Sequence, residues 1–578
     1  MSLLLLAAIV IVVLSAGYLA YGTFIARAYS LDDARKTPAV EKEDGVDFVP
    51  TRPFYLMSQH FSAIAAAGPI VGPIAACLAF GWLPCVLWIL VGVVFIGSVH
   101  DFSALVASIR HGGNSIAEIA RRNLGRRAWL ALVAFIWIAL VYVIVAFTAV
   151  TADTFAGRAE ELAHLDVRFD KGGAVAAASA MYLALALVMG VVQKIFKPRI
   201  WVVTAVFVPA TLAVVWLGTR VDSLLSMPAS SWYVALLAYC FVASMLPLWL
   251  LQQPRGYLGG FVLYMALAVG VLGIFAGGFE IRQPMWKGVS PVGPQGAMFP
   301  FLFVTIACGA CSGFHGLICG GTTSKQVSRE SHCKPIAFGS MLLEGFVAVI
   351  ALATVMIVAE TETKGRAPAQ IYGDGLARFL TVLVPEGGRD SVFVFAATFG
   401  AMAFSTFVFD TLDVSTRLGR YLLQELFGAP SRLAGALAGG ATAGVPLGLL
   451  LSSEPGSWRT FWTLFGTANQ LLAALTLLGI SVWLKRTGRR SWYTALPMAF
   501  VMVVTLTALG DQAWSGFRAA FEGDAVAIGP LANAIVSLLL MSLAGAFIVE
   551  GLLAVRRPPS PPASDPILTS ATPSPSTR

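Results

Sequence analysis

Charge is scarce in this chain: only 12% of its 578 residues are Asp, Glu, Lys or Arg, where a soluble domain carries roughly a quarter. That scarcity excludes a soluble globule. With 57% hydrophobic residues and a mean hydropathy of +0.78, the chain reads as an integral membrane protein. Cysteine is sparse too. The seven, Cys77, Cys85, Cys240, Cys308, Cys311, Cys319 and Cys333, lie in or beside apolar runs without paired spacing, which argues against a disulfide framework. No phosphate-binding P-loop, HExxH helix or other enzyme signature occurs, so neither catalysis nor nucleotide hydrolysis is expected, and no cofactor is called for. The net charge of +8 does not imply nucleic acid, because the basic residues fall in short clusters between apolar runs. No positive segment precedes the first apolar run, and its first basic residue is Arg27, so a retained helix is expected in place of a cleaved leader.

What the chain has in plenty is apolar sequence long enough to cross a bilayer. Fifteen spans are predicted, at about 3–23, 54–80, 83–109, 128–150, 173–193, 200–219, 232–253, 256–279, 298–322, 335–359, 391–412, 433–452, 459–484, 492–511 and 531–555. With the N-terminus outside, clusters such as Arg121/Arg122/Arg126/Arg127, Lys194/Lys197/Arg199, Lys325/Arg329/Lys334 and Lys485/Arg486/Arg489/Arg490 all fall on the cytoplasmic side. The loops at 153–171 and 360–390 are mixed or acidic and fall outside. The Pro- and Ser-rich end, 556–578, reads as a disordered cytoplasmic tail.

Three spans carry residues that weaken helices. The second contains AAAGPIVGPIAA, where Gly68-Pro69 and Gly72-Pro73 remove two backbone donors. The seventh has Pro247 inside and Pro254 near its end, and the ninth, FVTIACGACSGFHGLICGGTTSKQ, is rich in glycine. Proline kinks and small-residue stripes also serve plain helix packing. Taken together, however, interrupted helices in a many-span chain point to a secondary transporter, whose half-helix ends and unwound backbone bind substrate and coupling ion. Counted from the first break, the spans suit a five-plus-five inverted repeat with one helix before it and more after it.

Four motifs, KTPAVEKEDGVDFVPT, HFSAIAAAGPIVGP, FPFLFVTIACGACSGFHGLICGGTTSKQ and FGTANQLLA, resemble the carbon starvation protein A (CstA) family over about residues 25–510. The resemblance implies a bacterial inner-membrane transporter of the amino acid–polyamine–organocation superfamily. The fold it implies is LeuT-like, all-α, with broken helices and extra flanking ones. It also implies peptide uptake under nutrient limitation or proton-coupled pyruvate uptake. The chain differs from longer members in a shorter segment at about 360–390 and in having no extended domain after the last helix. The implied organisation is an N-terminal helix and loop at 1–53, a ten-helix core at 54–412, additional helices at 413–555 and the tail.

Polar groups at bilayer depth are the candidates for chemistry. The Gly68, Pro69, Gly72 and Pro73 backbone offers amides to a carboxylate and carbonyls to a cation. Ser312 and His315 join it as substrate contacts, His315 because an imidazole at depth needs a partner and titrates near neutrality. His100, Asp101 and Glu344 are candidates for ion coupling, each with the alternative of a structural pairing to a loop arginine, and Thr322 and Thr323 could lend hydroxyl oxygens. His60 and Ser62 before the first break are secondary candidates, as are Pro247, Asn469 and Gln470; packing between helices is the favoured role for the last two. Asp410 and Asp413 read as a salt bridge with Arg417. Cys308, Cys311, His315 and Cys319 would lie along one stripe of a straight helix and so could not converge on a metal ion.

These readings converge on an alternating-access importer of a small, pyruvate-like carboxylate with a proton, sodium being the other coupling ion, working in the lipid bilayer. A di- or tripeptide importer is the alternative within the class. A nutrient-sensing receptor is the rival outside it, disfavoured because no output domain follows the last helix.

Overall fold

The computed structural model describes residues 2–557 apart from 45–47, 66, 157–159, 163–166, 223, 248, 291–295, 386–387, 430, 454–457 and 523–527; the expected tail falls almost wholly outside the described residues. Long apolar sequence becomes long helix, because in a bilayer every backbone polar group must be paired within the segment. In chain order the elements are α1 (Leu3–Ala28), α2 (Pro53–Ile64), α3 (Gly68–Phe80), α4 (Trp82–Arg110), α5 (Ile116–Asn123), α6 (Arg126–Phe155), α7 (Lys171–Phe196), α8 (Ile200–Gly218), α9 (Ala229–Met245) and α10 (Gln252–Ala276). They continue with α11 (Met298–Thr305), α12 (Gly313–Gly321), α13 (Glu330–Met356), α14 (Pro368–Thr381), α15 (Arg389–Phe427), α16 (Arg432–Leu451), α17 (Trp458–Arg486), α18 (Trp492–Phe521) and α19 (Ile528–Arg556). Two three-residue strands, Glu160–Leu162 and Val167–Phe169, pair antiparallel between α6 and α7.

Among the described residues, twelve helices are long and apolar enough to span a membrane, and α2 with α3, bent by 46°, makes thirteen. The two other expected spans take different forms. The seventh is the seventeen-residue α9, and the ninth is split into α11 and α12.

The three regions with helix-weakening residues differ from the sequence expectation in detail. The first break lies between Ile64 and Gly68, ahead of the GPIVGP motif and not within it. Pro69 stands in the first turn of α3, where its missing N–H would be unpaired anyway, so the motif restarts the helix and carries it through Pro73. Pro247 does not interrupt a helix from within: α9 stops at Met245, Leu246 is extended as a residue before proline prefers, and Pro247 is exposed. In the ninth span the seven residues 306–312 leave the helix, placing Cys308 and Cys311 in the break, so the straight Cys/His stripe does not form.

α17 lies at the centre. Its apolar window is wholly buried, whereas those of α8 and α19 are 22% and 28% buried, which marks these two as the rim. Basic clusters from distant loops meet at one end of the bundle. Arg110 and Arg489 both donate to the Tyr29 carbonyl, at 2.9 and 2.8 Å, and Arg486 donates to the Asn123 carbonyl at 2.6 Å.

Candidate functional site

The two breaks face each other. A Cβ at Gly72 would stand 2.5 Å from the Thr305 carbonyl oxygen, and one at Gly68 would run into the Cys308 side chain, so only glycine lets α3 approach the end of α11 this closely. An interrupted helix leaves backbone groups unpaired at depth, and here identifiable side chains take them up. Trp462 Nε1 donates to the Thr305 carbonyl and Trp88 Nε1 to that of Ile306, both at 3.3 Å. Gln470 Nε2 donates to the Phe303 carbonyl at 2.9 Å. At the start of α12 the Phe314 N–H donates to Asn469 Oδ1 at 2.9 Å, and Asn469 Nδ2 reaches Ser312 Oγ at 3.0 Å. Asn469 and Gln470 of α17 therefore hold the interrupted backbone, as helix-to-helix contacts.

Beside the breaks runs a chain of buried ionisable groups. Asp101 of α4 accepts from His100 Nδ1 at 2.8 Å through Oδ1 and from His315 Nδ1 at 2.9 Å through Oδ2. His315 Nε2 stands 3.2 Å from Glu344 Oε2 of α13, at ion-pair distance without hydrogen-bond alignment. All four side chains are at most 1% exposed. A carboxylate only accepts, so an ionised Asp101 fixes the proton of both imidazoles on Nδ1. Nε2 of His315 is then the ring atom turned to Glu344. Neither Glu344 oxygen has a hydrogen-bond partner among the described residues; the same holds for His100 Nε2, Ser340 Oγ, Thr305 Oγ1 and Thr476 Oγ1.

The other expected residues separate. His60 Nδ1 bonds Thr323 Oγ1 at 2.9 Å, tying α2 to the turn after α12, and Ser62 Oγ donates to the Gly256 carbonyl at 3.3 Å. Thr322 is exposed. His100, Asp101 and Glu344 pair with one another and His315, not with a loop arginine. Asp410 and Asp413 pair with Arg255 and not with Arg417, whose guanidinium donates to the Ala243 and Leu246 carbonyls. The four-residue Cys/His set is dispersed, Cys308 against Asn469 and Cys319 against the Asp101 carbonyl. Among the described residues no three His, Cys, Asp or Glu side chains group to hold a metal ion. Sequence reasoning missed Trp88 and Trp462; an indole N–H in an otherwise apolar helix, which needs an acceptor when buried, was the available signal.

A family model described as carbon starvation protein CstA matches residues 1–373 and 357–508 of the chain. The chain belongs to the CstA family. Among curated relatives, the peptide transporter CstA of Escherichia coli K12 is 33% identical over 589 residues, covering 88% of this chain and 80% of that protein. The peptide transporter CstA of Campylobacter jejuni is 31% identical over 570 residues, covering 85% and 77%. The pyruvate/proton symporter BtsT of Escherichia coli K12 is 30% identical over 588 residues, covering 86% and 80%. The backbone also has a looser likeness to an Eremococcus coleocola manganese transporter, with 14% identity, a TM-score of 0.42 and 87% and 95% of the two chains covered. This CstA-family chain is a multi-pass membrane transporter and not an enzyme.

Proposed function

We propose that the protein imports a small carboxylate nutrient of the pyruvate type together with a proton, by alternating access in the bacterial inner membrane, under carbon limitation. The observation that carries this reading is the buried chain Asp101–His315–Glu344 laid against two interrupted helices. His315 belongs to the half-helix α12, so a change in its protonation acts directly on an element that must move relative to α4 and α13. In this reading the positive N-terminal ends of the α3 and α12 dipoles attract the substrate carboxylate, and Glu344 and His315 carry the proton. The core is LeuT-like and spans 54–412, with helices added before and after it; the N-terminus is outside and the C-terminus cytoplasmic.

A di- or tripeptide is the second reading. It is favoured by the Glu344 carboxylate, a buried acidic pole without a hydrogen-bond partner among the described residues, which suits a substrate amino terminus.

Uptake of labelled pyruvate and of a labelled dipeptide into proteoliposomes, with an inward proton gradient, with sodium and with neither, tests both. Proton-driven accumulation of pyruvate alone is the expected result. Accumulation of the dipeptide alone replaces the first reading by the second, and uptake of neither overturns both.

A further inference from the structure

A second group of buried charges lies apart from the Asp101–His315–Glu344 chain. Arg255, at the start of α10, is fully buried and pairs with Asp410 and Asp413 of α15, Nη2 standing 2.6 Å from Asp410 Oδ1. Tyr239 of α9 donates its hydroxyl to Asp413 Oδ2 at 2.9 Å and accepts from Arg255 Nη1 at 2.6 Å. Tyr182 of α7 donates to the Arg255 carbonyl at 2.8 Å. Cys240 of α9 also faces Asp413. The next cation on α15, Arg417, is turned to the carbonyls of Ala243 and Leu246 and does not reach the group.

The charges do not balance: one guanidinium faces two carboxylates. Arg255 is fully buried and Asp413 nearly so, while Asp410 is 14% exposed, and an excess charge held largely out of water inside a membrane protein costs several kcal/mol unless a partner neutralises it. One oxygen is open to such a partner, because Asp413 is 2% exposed and its Oδ1 has no hydrogen-bond partner among the described residues. A metal cation needs several oxygen ligands, whereas a proton needs one.

We propose that Arg255, Asp410 and Asp413 form a proton-binding site in which Asp413 Oδ1 carries the proton, separate from the His315 chain. The site adjoins the first half-helix, since Ser62 Oγ of α2 bonds the carbonyl of Gly256, the residue after Arg255.

Infrared difference spectra of the full chain in lipid, without substrate and at neutral pH, test this. Subtracting the spectrum of Asp413→Asn from that of the wild type is expected to leave a carboxylic-acid carbonyl stretch that shifts in heavy water. Asp410→Asn leaves one carboxylate to one guanidinium, so it too is expected to lose the band although Asp413 is still present. Both substitutions keep side-chain shape, and either comparison stands if the other variant fails to fold. Absence of the band from both differences means that both carboxylates are ionised and overturns the proposal. The band is expected to persist when sodium is added at constant pH; its loss would show that the oxygen exchanges its proton for a metal cation, and would overturn the assignment of the site to protons alone. The readout needs no transport, so its failure leaves the proposed function standing.

Discussion

Nδ1 of His315 lies 2.9 Å from Oδ2 of Asp101, joining a half-helix to the interior of a continuous span. Removing that ring leaves a buried carboxylate with His100 as its remaining side-chain partner. His315→Ala is expected to destabilise the protein by about 3–5 kcal/mol, the cost of uncovering one half of a buried pair. His315→Gln, which keeps an N–H donor, should lose less. Denaturant unfolding in detergent distinguishes the two, and equal losses would show that the contact does not matter to the fold.

Glu344→Gln keeps the shape of the side chain and removes its titration. Proton-driven accumulation should fall to the level reached without a gradient, while exchange of labelled for unlabelled substrate continues. A variant that accumulates substrate as the wild type does would take Glu344 out of the coupling path.

The junction of the breaks should tolerate little added volume. Gly72→Ala pushes a methyl group against the Thr305 carbonyl and is expected to cost about 1–3 kcal/mol, as overpacking does. Asn469→Ala leaves the Phe314 N–H without its acceptor, at a similar cost of about 1–3 kcal/mol for an unpaired buried donor. Asn469→Asp keeps the accepting oxygen but buries a charge. Thermal unfolding of the three variants in lipid nanodiscs is the check; a Gly72→Ala protein as stable as the wild type would contradict the close approach.

Glu330 gathers one face of the molecule. It accepts from Arg110 Nε and Nη2, from Arg35 Nη1 and from the Asp32 N–H, all between 2.9 and 3.1 Å, and so clasps the loop after α1 to the segment after α12. All seven cysteines are buried, and Cys333 lies one turn after Glu330 in α13. Glu330→Gln should speed maleimide labelling of the Cys333 thiol severalfold. Unchanged labelling would mean that the clasp does not guard access.

Asp33, outside the spans, accepts from the N–H and hydroxyl of Ser331, and these bonds hold its pKa below the usual carboxylate value. A depressed folded-state pKa adds stability above the unfolded value of about 3.9, lost as pH falls through the folded one. The stability gap between wild type and Asp33→Asn should therefore be present at neutral pH and close in acid below that value. A gap that does not change with pH would sink the assignment.

Much of this arrangement was legible in the sequence, for a physical reason. A polar or helix-weakening residue at bilayer depth is costly, so Gly68, His315, Asp101 and Glu344 stood out where they would pass unnoticed in a soluble protein. Their partners were harder to see, because pairing depends on which spans touch. Nothing in the order of residues says that Asp410 and Asp413 turn to Arg255, 155 and 158 positions away, instead of to nearby Arg417. The position of the first break was misjudged because proline was read only as a breaker, although in a first turn it starts a helix. Pro247 was placed inside a span because apolar sequence continues past Met245, while the restriction that proline puts on the residue before it ends the helix there.

Trp88 is made before the interrupted ninth span, but Trp462, Asn469 and Gln470, which also take up its backbone groups, come from far downstream: Asn469 lies 155 positions after the Phe314 amide that it receives. At a synthesis rate of about 5–20 residues per second, roughly 8–30 seconds pass between the two leaving the ribosome. Throughout that interval the half-helices lack the partners that α17 supplies. The nascent chain must therefore keep them sheltered, by water, by the insertion machinery or by one another, until α17 arrives to complete assembly.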